Sequence, residues 1–319
     1  MKYCQLGRSG LTVSRLCLGT LNFGPETSEE DSHTIMDRAH QLGLNHFDSS
    51  NVYGWKRGDG WTEQIIGRWF AQGRGRRERT VLGTKVYEPT SDWPNDGRLS
   101  ARHIRQACDD SLRRLKTDYI DIYQMHHVDR NTPWDEIWEA MDVLRTQGKI
   151  LYVGSSNFAG WHLAQAQDAA TARSMLGLIS EQSIYNLATR DIEREVIPAA
   201  QAYGIGVLAW SPLHRGMLAG VLRSEVAATR YKPEHLAKHR AQLEQYEALC
   251  DEIGAEPAQL ALAWLLSRPG LTSPVIGPQS VKDLDSAVAA LDIHLDDAVL
   301  TRLDEIFPGY LPAPEDYAW

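Results

Sequence analysis

The chain has 319 residues, of which 43% are hydrophobic and 24% are charged. This composition is typical of a folded protein and excludes a disordered chain, a collagen-like repeat and a disulfide-stabilised miniprotein. Lys and Arg total 33 and Asp and Glu total 42, so the net charge is −9. A negative charge of this size argues against nucleic acid or an anionic membrane as a partner. The basic cluster at Arg74, Arg76, Arg77 and Arg79 predicts a solvated loop.

The cysteines and the hydropathy pattern bear on the cellular compartment. The four cysteines lack the close spacing of a zinc or CxxC site: Cys4, Cys17, Cys108 and Cys250. No stretch approaches the roughly 18 apolar residues of a membrane span, and the N-terminal residues lack the apolar core of a signal peptide. We therefore expect buried free thiols, no bound metal, no membrane partner and a location in the reducing cytoplasm.

Short apolar runs of strand length alternate with longer amphipathic stretches along the whole chain. The apolar runs lie at 16–20, 46–50, 81–86, 120–126, 150–157, 179–186, 205–213 and 273–277. Helices are predicted between and after them, near 29–42, 62–72, 100–115, 133–147, 160–174, 191–203, 241–267 and 280–291. This alternation is the pattern of repeated strand–helix units with a parallel sheet.

Eight such units in series predict an α/β fold that closes into a (β/α)8 barrel. An open, doubly wound sheet is the alternative. A glycine turn between Leu6 and Thr12 predicts a short β-hairpin ahead of the first barrel strand. We find no linker and no break in composition, so we expect one domain over residues 1–319. The C-terminal tail is expected to lie over the face that carries the active site.

Several nucleotide-binding and hydrolytic motifs are absent from the sequence. There is no GxGxxG of the right spacing, no Walker A lysine motif, no HExxH and no GxSxG. If the protein uses a nucleotide cofactor, it does not hold it on a Rossmann domain.

Polar residues at the predicted strand ends are the candidates for catalysis, because barrel enzymes draw their catalytic groups from the carboxyl ends of strands. Asp48 ends the second predicted strand, and Tyr53 follows it in the loop. Lys85 lies in the third strand and His126 at the end of the fourth. An acid, a phenol, an ammonium and an imidazole are thus expected to meet at one rim.

These four groups suit proton donation to a carbonyl oxygen. A tyrosine pKa lies near ~10, and an adjacent lysine ammonium lowers it by stabilising the phenolate. An aspartate paired with that lysine offsets the cost of burying its charge, and a histidine beside the tyrosine can orient the carbonyl oxygen. Each residue also has a structural alternative, namely an Asp48–Lys85 ion pair, a half-buried loop aromatic at Tyr53 and a satisfied core histidine at His126.

From Met1 to about Pro308 the chain resembles the aldo-keto reductase superfamily. Seven ordered motifs carry the resemblance: Gly19-Thr20 with Phe23-Gly24, Phe47-Asp48-Ser49-Ser50 with Tyr53-Gly54, Thr84-Lys85, Asp121-Ile122-Tyr123-Gln124-Met125-His126, Gly154-Ser155-Ser156-Asn157-Phe158, Gln182 to Tyr185-Asn186, and Trp210-Ser211-Pro212-Leu213. In that family, the residues matching Asp48, Tyr53, Lys85 and His126 form the catalytic tetrad, with the tyrosine as proton donor. The resemblance implies a reductase that uses NADP(H).

The same resemblance implies that the cofactor lies across the mouth of the barrel. Ser156, Asn157 and Gln182 match residues that hold the nicotinamide carboxamide, and Trp210 matches the aromatic that stacks on the ring. The loop from Ser211 to Gly216 matches the pyrophosphate-binding loop, to which Arg215 and Arg223 add positive charge. The implied cofactor contacts are Thr20, Leu21, Asp48, Ser156, Asn157, Gln182, Trp210, Ser211, Pro212, Leu213, His214, Gly216, Gly277, Gln279 and Asp283.

The segment from Gly277 to Ala287 matches the part that binds adenosine and its 2′-phosphate, and here the chain departs from the family pattern. Relatives often carry Arg or Gln where Asp283 stands, and Asn where Ala287 stands. Gln279 remains as a hydrogen-bonding partner. Because an acid repels a 2′-phosphate, we expect NADPH to be preferred over NADH by a reduced margin.

Within the superfamily, four segments resemble actinobacterial enzymes of secondary metabolism: residues 51–55, 99–103, 124–129 and 132–136. The enzymes concerned are nucleotide 4-keto-6-deoxyhexose 2,3-reductases and the mithramycin side-chain ketoreductase. The expected substrate is a small-molecule ketone or conjugated enone, contacted by Trp55, Trp93 and His127. The alternatives are a regulatory NADP-binding subunit like the potassium-channel β subunits, which commonly carry Asn in place of His126, and a general carbonyl-detoxifying reductase. The sequence leaves a homo-oligomer open.

Overall fold

The computed structural model describes residues 1–54, 58–223 and 233–318. The chain begins with the expected β-hairpin, in which β1 (Tyr3–Gln5) pairs antiparallel with β2 (Thr12–Ser14). Gly7 lies in the turn with a φ of 56°, and a Cβ there would lie 2.5 Å from the carbonyl oxygen of Ile179. The turn therefore needs glycine both for its backbone conformation and for its close approach to the barrel.

Eight parallel strands form a closed barrel. They are β3 (Cys17–Gly19), β4 (His46–Asp48), β5 (Val81–Val86), β6 (Ile120–Met125), β7 (Ile150–Ser156), β8 (Leu178–Ile184), β9 (Gly206–Trp210) and β10 (Leu271–Ile276). The strands pair in chain order, and β10 closes the barrel on β3, where Val275 lies opposite Cys17. The closure confirms the (β/α)8 barrel and excludes the open sheet. Because all eight strands run the same way, their carboxyl ends share one rim.

Helices surround the barrel and alternate with its strands. They are α1 (Glu29–Gln41), α2 (Trp61–Phe70), α3 (Ala101–Leu115), α4 (Trp134–Thr146), α5 (Gly160–Ala172), α6 (Val196–Tyr203), α7 (Pro233–Ile253), α8 (Pro257–Ser267), α9 (Val281–Ala289), α10 (Asp297–Ile306) and α11 (Glu315–Ala318). The single helix expected over 241–267 is two helices, because Gly254 has a φ of 66° and Pro257 begins α8. The sequence pattern does not predict α10, whose buried residues are Leu303 and Ile306 alone.

The hydrophobic core has two parts. The larger part lies between the strands and the helices, and it includes the fully buried Trp69, Trp138 and Trp264. The smaller part fills the amino end of the barrel interior with five side chains that are each at most 1% exposed: Leu6, Val13, Ile122, Ile179 and Leu208. Since the first two belong to the hairpin segment, the hairpin closes this end of the barrel.

The basic cluster lies in the predicted loop between α2 and β5, but it is only partly solvated. Arg74 and Arg79 are exposed, whereas Arg76 and Arg77 are each 9% exposed. Arg76 pairs with Asp37 (Nε–Oδ1 3.0 Å) and Arg77 with Asp121 (Nη2–Oδ2 2.8 Å). The prediction is wrong for these two residues because their partner carboxylates lie 39 and 44 positions away in the chain, where a local charge pattern does not reveal them.

The state of the cysteines and the hydropathy of the helices can be compared with the expectations from the sequence. All four cysteines are free thiols, and Cys17, Cys108 and Cys250 are buried while Cys4 is partly exposed. Within residues 1–54, 58–223 and 233–318, no helix combines the length and the apolar character needed to cross a membrane.

The C-terminal tail packs against the segment between β8 and α6, at the carboxyl end of the barrel. The amide of Ala313 donates to the carbonyl oxygen of Arg194 at 2.8 Å. The Arg194 guanidinium pairs with Asp316 (2.8 Å) and lies over the ring of Tyr310. The tail thus lies on the face where the sequence places it.

Candidate active site

The structure brings together three of the four predicted catalytic side chains in direct contact. Asp48 ends β4, Lys85 lies near the end of β5, and Tyr53 is in the loop after β4. Lys85 Nζ donates to Asp48 Oδ2 at 2.6 Å and to Tyr53 Oη at 3.1 Å. It also donates to the Ser49 carbonyl oxygen at 2.9 Å. The ammonium therefore joins the carboxylate to the phenol.

Burial and charge act in opposition on this cluster. The side chain of Lys85 is fully buried. Burial alone lowers the pKa of Lys85, but the charge of Asp48 and the contacts with Asp48 and Tyr53 outweigh it, so the pKa is raised above its usual value. Lys85 is consequently an ammonium at neutral pH.

The pKa of Tyr53 shows the same competition with the opposite outcome. Burial raises the pKa of the phenol, while the charge and the hydrogen bond of Lys85 lower it, and burial is the larger effect. The sequence predicts that Lys85 makes the phenol more acidic. The structure shows that contribution, but it also shows that the net pKa of Tyr53 lies above the ordinary value, so the phenol is fully protonated at neutral pH.

His126 follows β6 and lies edge-on to Tyr53, with the ring centroids 6.2 Å apart. Its Nδ1 is 3.4 Å from the hydroxyl of Ser50. Burial, together with the charges of Lys85 and His127, lowers the pKa of His126 to about 2. The imidazole is therefore neutral, and it can act as a hydrogen-bonding group toward a carbonyl oxygen but not as an acid at neutral pH.

The second oxygen of Asp48 binds two side-chain amides. Gln124 Nε2 and Gln182 Nε2 each donate to Asp48 Oδ1 at 2.9 Å. The resemblance assigns Gln182 to the nicotinamide carboxamide, whereas here its amide contacts the aspartate. Sequence reasoning gives Gln124 no role, although it lies on β6 two positions before His126.

The other predicted nicotinamide contacts form one network beside His126. Asn157 Nδ2 donates to the carbonyl oxygen of His126 at 3.1 Å, and its Oδ1 accepts from Trp210 Nε1 at 3.1 Å. Ser156 Oγ donates to the Gln182 carbonyl oxygen at 2.7 Å. Asn157 has a φ of 61°, in the left-handed region that asparagine tolerates. A hydroxyl, an amide and a flat indole thus lie next to the predicted catalytic groups.

Glu181 supports this network from the outer side of the sheet, and sequence reasoning missed it. Its carboxylate is fully buried and accepts from Ser183 Oγ at 2.7 Å, from the Phe158 amide at 3.0 Å and from Ser155 Oγ. Burial raises the pKa of Glu181 to about 7, against the effect of these hydrogen bonds. Its partners flank Ser156 and Asn157, so this carboxylate fixes the turn after β7. Sequence reasoning could have found Glu181 because it directly precedes Gln182, a predicted cofactor contact.

The predicted pyrophosphate loop follows β9 and has a tightly wound backbone. Ser211, His214, Arg215 and Gly216 have φ values of 53°, 49°, 58° and 98°. The loop is closed by its own bonds, since the amides of His214 and Gly216 bond to the carbonyl oxygens of Ser211 and Leu213. Pro212 is buried and Arg215 is exposed at this rim. Arg223 lies further on and pairs with Asp251 (2.7 Å) and Glu247 (3.5 Å), so its charge is already offset.

The predicted adenosine end lies between β10 and α9, beside the loop after β3. The backbone N–H of Gln279 donates to Asp283 Oδ2 at 3.2 Å, and the side-chain amide of Gln279 donates to the Glu26 carboxylate. The Gly277 carbonyl oxygen accepts from Asn22 at 2.9 Å. Two carboxylates therefore flank Gln279, one more than the sequence pattern indicates.

The remaining predicted contacts differ in how close they come to the tetrad. Thr20 is fully buried and donates to the Asp48 carbonyl oxygen at 2.9 Å, and Leu21 beside it is 38% exposed. His127 stacks on His126 with the centroids 5.0 Å apart, and it pairs with Glu88 at 3.2 Å. Trp93 lies in the loop after β5 and is 74% exposed, so its contact with substrate stays a prediction. Trp55 lies outside the described residues.

The structure is a closed (β/α)8 barrel with Asp48, Lys85 and Tyr53 in contact at its carboxyl rim, the rim from which barrel enzymes draw their catalytic groups. The model of the Aldo/keto reductase family matches residues 15–307, so the chain belongs to this family and is an oxidoreductase. Enzymes of the family generally use NAD(P)H.

Known relatives align over nearly the whole chain. The chain is 52% identical to an uncharacterised oxidoreductase, YrpG, of Bacillus subtilis (strain 168), over 100% of both chains. It is 33% identical to a versiconal hemiacetal acetate reductase of Aspergillus parasiticus, over 96% of both. It is also 31% identical to a probable voltage-gated potassium channel subunit beta of Arabidopsis thaliana, over 99% of this chain and 100% of the relative.

Proposed function

We propose that this protein, as one domain over residues 1–319, is a cytoplasmic reductase that uses NADPH to reduce a carbonyl compound, with Tyr53 as the proton donor. One observation carries the proposal, the buried Lys85 ammonium that lies 2.6 Å from Asp48 Oδ2 and 3.1 Å from Tyr53 Oη. A protonated phenol beside a fixed cation can donate a proton and leave a stabilised phenolate.

A bound nicotinamide would supply the hydride, and residues of this protein would supply the proton and stabilise the charge that its transfer leaves. Tyr53 gives its proton to the carbonyl oxygen as that oxygen gains negative charge. Lys85 stabilises the phenolate that remains, and Asp48 offsets the charge of Lys85. The neutral His126 donates a hydrogen bond that orients the carbonyl oxygen. With a conjugated enone, the same groups would stabilise the enolate oxygen.

The residues present fit a nicotinamide dinucleotide at the ring end. Ser156 and Asn157 offer a hydroxyl and an amide to the carboxamide, Trp210 offers a flat aromatic face, and Gln182 lies within reach on the neighbouring strand. Arg215 offers positive charge to the pyrophosphate. This donor set supports the cofactor expected from the resemblance.

NADPH is proposed to be preferred over NADH by a small margin. Glu26 and Asp283 both contact Gln279, and two carboxylates weaken the binding of a 2′-phosphate. The kcat/KM ratio for the two cofactors measures the margin. Replacing Asp283→Asn should move the ratio toward NADPH, and a wild-type protein that strongly favours NADH would contradict the proposal.

The substrate is proposed to be a ketone or conjugated enone of a natural-product intermediate, with a deoxysugar or a polyketide as the favoured type. The Aspergillus relative, named for a reductase of versiconal hemiacetal acetate, supports this class. Aldehydes, ketones and enones should be assayed as a panel by following NADPH absorbance. We expect oxidation of NADPH that depends on the carbonyl compound. Broad activity on simple aldehydes alone would favour the general detoxifying reductase.

A regulatory subunit is the second candidate, and the Arabidopsis relative named as a channel subunit favours it. Against it stands His126, where that group commonly carries Asn. Three results together would reverse the order of the two candidates. The protein would bind NADPH tightly, would show no NADPH oxidation with any carbonyl compound, and would co-purify with a membrane channel.

A further inference from the structure

Gln124 occupies a slot inside the barrel that glycines on both neighbouring strands leave open. A Cβ at Gly83 on β5 would lie 2.9 Å from Gln124 Nε2. A Cβ at Gly154 on β7 would lie 2.5 Å from Ser180 Oγ and 3.1 Å from Gln124 Cγ. Neither glycine has a positive φ, so backbone conformation does not explain them. Gly83 makes room for the Gln124 side chain, and Gly154 makes room for it and for Ser180.

The amide of Gln124 has one orientation that the surroundings allow. Its Nε2 donates to Asp48 Oδ1 at 2.9 Å, and a flipped amide would place its oxygen against the carboxylate. Among the residues that the structure describes, nothing donates to Gln124 Oε1, which is buried. An unpaired buried acceptor is unfavourable, and a leucine or methionine would fill the slot without it. Packing alone therefore does not account for a glutamine here.

The contact with Asp48 does account for it. Asp48 is 2% exposed, so protein groups must solvate its charge. Oδ2 receives the Lys85 ammonium, while Oδ1 receives the amides of Gln124 and Gln182. With one oxygen tied to two amides, the carboxylate cannot rotate, and the other oxygen stays directed at Lys85.

We propose that Gln124 is a positioning residue of the reaction: it fixes the Asp48 carboxylate, which in turn holds the Lys85 ammonium against the Tyr53 phenol. The inference rests on the proposed function. Gln182 is the second amide on Asp48 Oδ1, but the cofactor carboxamide competes for it in the proposed site. Gln124 has no such second partner in the proposal, so it is the amide that stays on the aspartate throughout the reaction.

A double-mutant cycle between Gln124→Leu and Asp48→Asn tests the inference, with NADPH and 4-nitrobenzaldehyde as the probe reaction. Gln124→Leu should lower kcat about 10- to 100-fold, the usual range for a hydrogen bond to a charged group, with little change in KM for NADPH. In the Asp48→Asn background the same replacement should cost less than about 3-fold, because its partner charge is gone. Ile122→Val, on the same strand and the same interior, is the control and should stay near wild type.

The pH profile separates positioning from packing. Removing the amide loosens Asp48 and hence Lys85, so the pKa of Tyr53 should rise and the alkaline limb of kcat/KM should move up by about 0.5 to 1 pH unit. Ile122→Val should leave the limb in place. If Gln124→Leu does not fold, Gln124→Met replaces it in the cycle, and Gln124→Glu is the rescue variant. Its carboxyl, forced to share a proton with Asp48, can still donate to Oδ1 and should keep kcat within about 5-fold of wild type at pH ~6.

Three results would overturn the inference, and each differs from failure of the proposed function. Equal losses from Gln124→Leu with and without the Asp48 charge would show a packing role. So would an alkaline limb that matches that of Ile122→Val, or a Gln124→Glu protein as impaired as Asp48→Asn. A wild-type protein that reduces no carbonyl compound would instead remove the proposed function, and this inference with it.

Discussion

The two ends of the barrel interior are built from the same strands but hold opposite kinds of side chain. The amino end contains Leu6, Val13, Ile122, Ile179 and Leu208, packed on the hairpin. The carboxyl end buries charge and amides at Asp48, Lys85, Gln124 and Gln182. On β6 the change takes place between Ile122 and Gln124, two residues apart on one face. One end of the barrel interior is therefore apolar packing, and the other end holds the groups of the proposed reaction, within a single set of strands.

The largest expected effect breaks the chemical end without touching the apolar one. Tyr53→Phe removes the proton donor but keeps the ring, so kcat should fall about 10²- to 10⁴-fold, the range for a lost general acid. The free energy of unfolding and the Kd for NADPH, followed by tryptophan fluorescence, should change little. Unaltered turnover would defeat the assignment of Tyr53.

Lys85→Met breaks the same end electrostatically. In the proposed reaction the rate requires a protonated phenol, and the Lys85 charge lowers the pKa of Tyr53 against the larger effect of burial. Its removal should shift the alkaline limb of the pH profile upward by about 1 to 3 units. Because the Asp48 charge is left buried without its partner, unfolding should also become easier by about 3–5 kcal/mol. The double variant Lys85→Met with Asp48→Asn is the control that restores stability while the limb stays shifted.

Leu6→Ala breaks the apolar end. Leu6 belongs to the hairpin segment and is fully buried, and truncation of such a side chain should lower the free energy of unfolding by about 2–5 kcal/mol. Below the unfolding transition, kcat should stay within about 3-fold of wild type, because Leu6 contacts the amino end of the barrel and sites without shared partners act independently. Urea unfolding and initial rates on the same preparation check both. A large loss of kcat in fully folded protein would show that the two ends are coupled.

The smallest expected effect concerns His46, which lies at the boundary between the two ends. His46 lies on the interior of β4 two residues before Asp48, and burial lowers its pKa to about 4. Between pH ~6.5 and ~4 the unfolded chain binds a proton that the folded chain does not, so the free energy of unfolding falls as the pH falls. At pH ~5 the contribution of His46 to the loss of unfolding free energy should be roughly 2 kcal/mol. His46→Leu should flatten the pH dependence of urea unfolding across this window; an unchanged slope would contradict the argument.

The strand order and the meeting of Asp48, Tyr53, Lys85 and His126 at one rim were predictable, because both depend on local patterns and on the phase of the barrel. Asp48, Lys85 and His126 stand where parallel strands end, and Tyr53 follows one of them. The hydrogen bonds of Gln124 and Gln182 to Asp48 were not predictable, because the partners are 76 and 134 positions away from it. They meet only when the barrel closes.

Two further failures have the same physical origin. The burial of Arg76 and Arg77 depends on Asp37 and Asp121, which the charge pattern around residue 76 does not contain. The net pKa of Tyr53 depends on how completely the fold buries the phenol, and composition or spacing gives no measure of that. Sequence reasoning proposes candidate catalytic groups and places them at one rim, while their hydrogen-bonding partners and their degree of burial are known only from the fold.

The hairpin has a consequence for how the chain is made. The Arg8 amide bonds to the carbonyl oxygen of Gly204, and Gly7 lies against Ile179. The hairpin is synthesised before these partners and therefore finds them only after β8 and β9 have been made. Until then Leu6 and Val13 remain without the strands that cover them, and this exposed interval makes the nascent protein most dependent on chaperones.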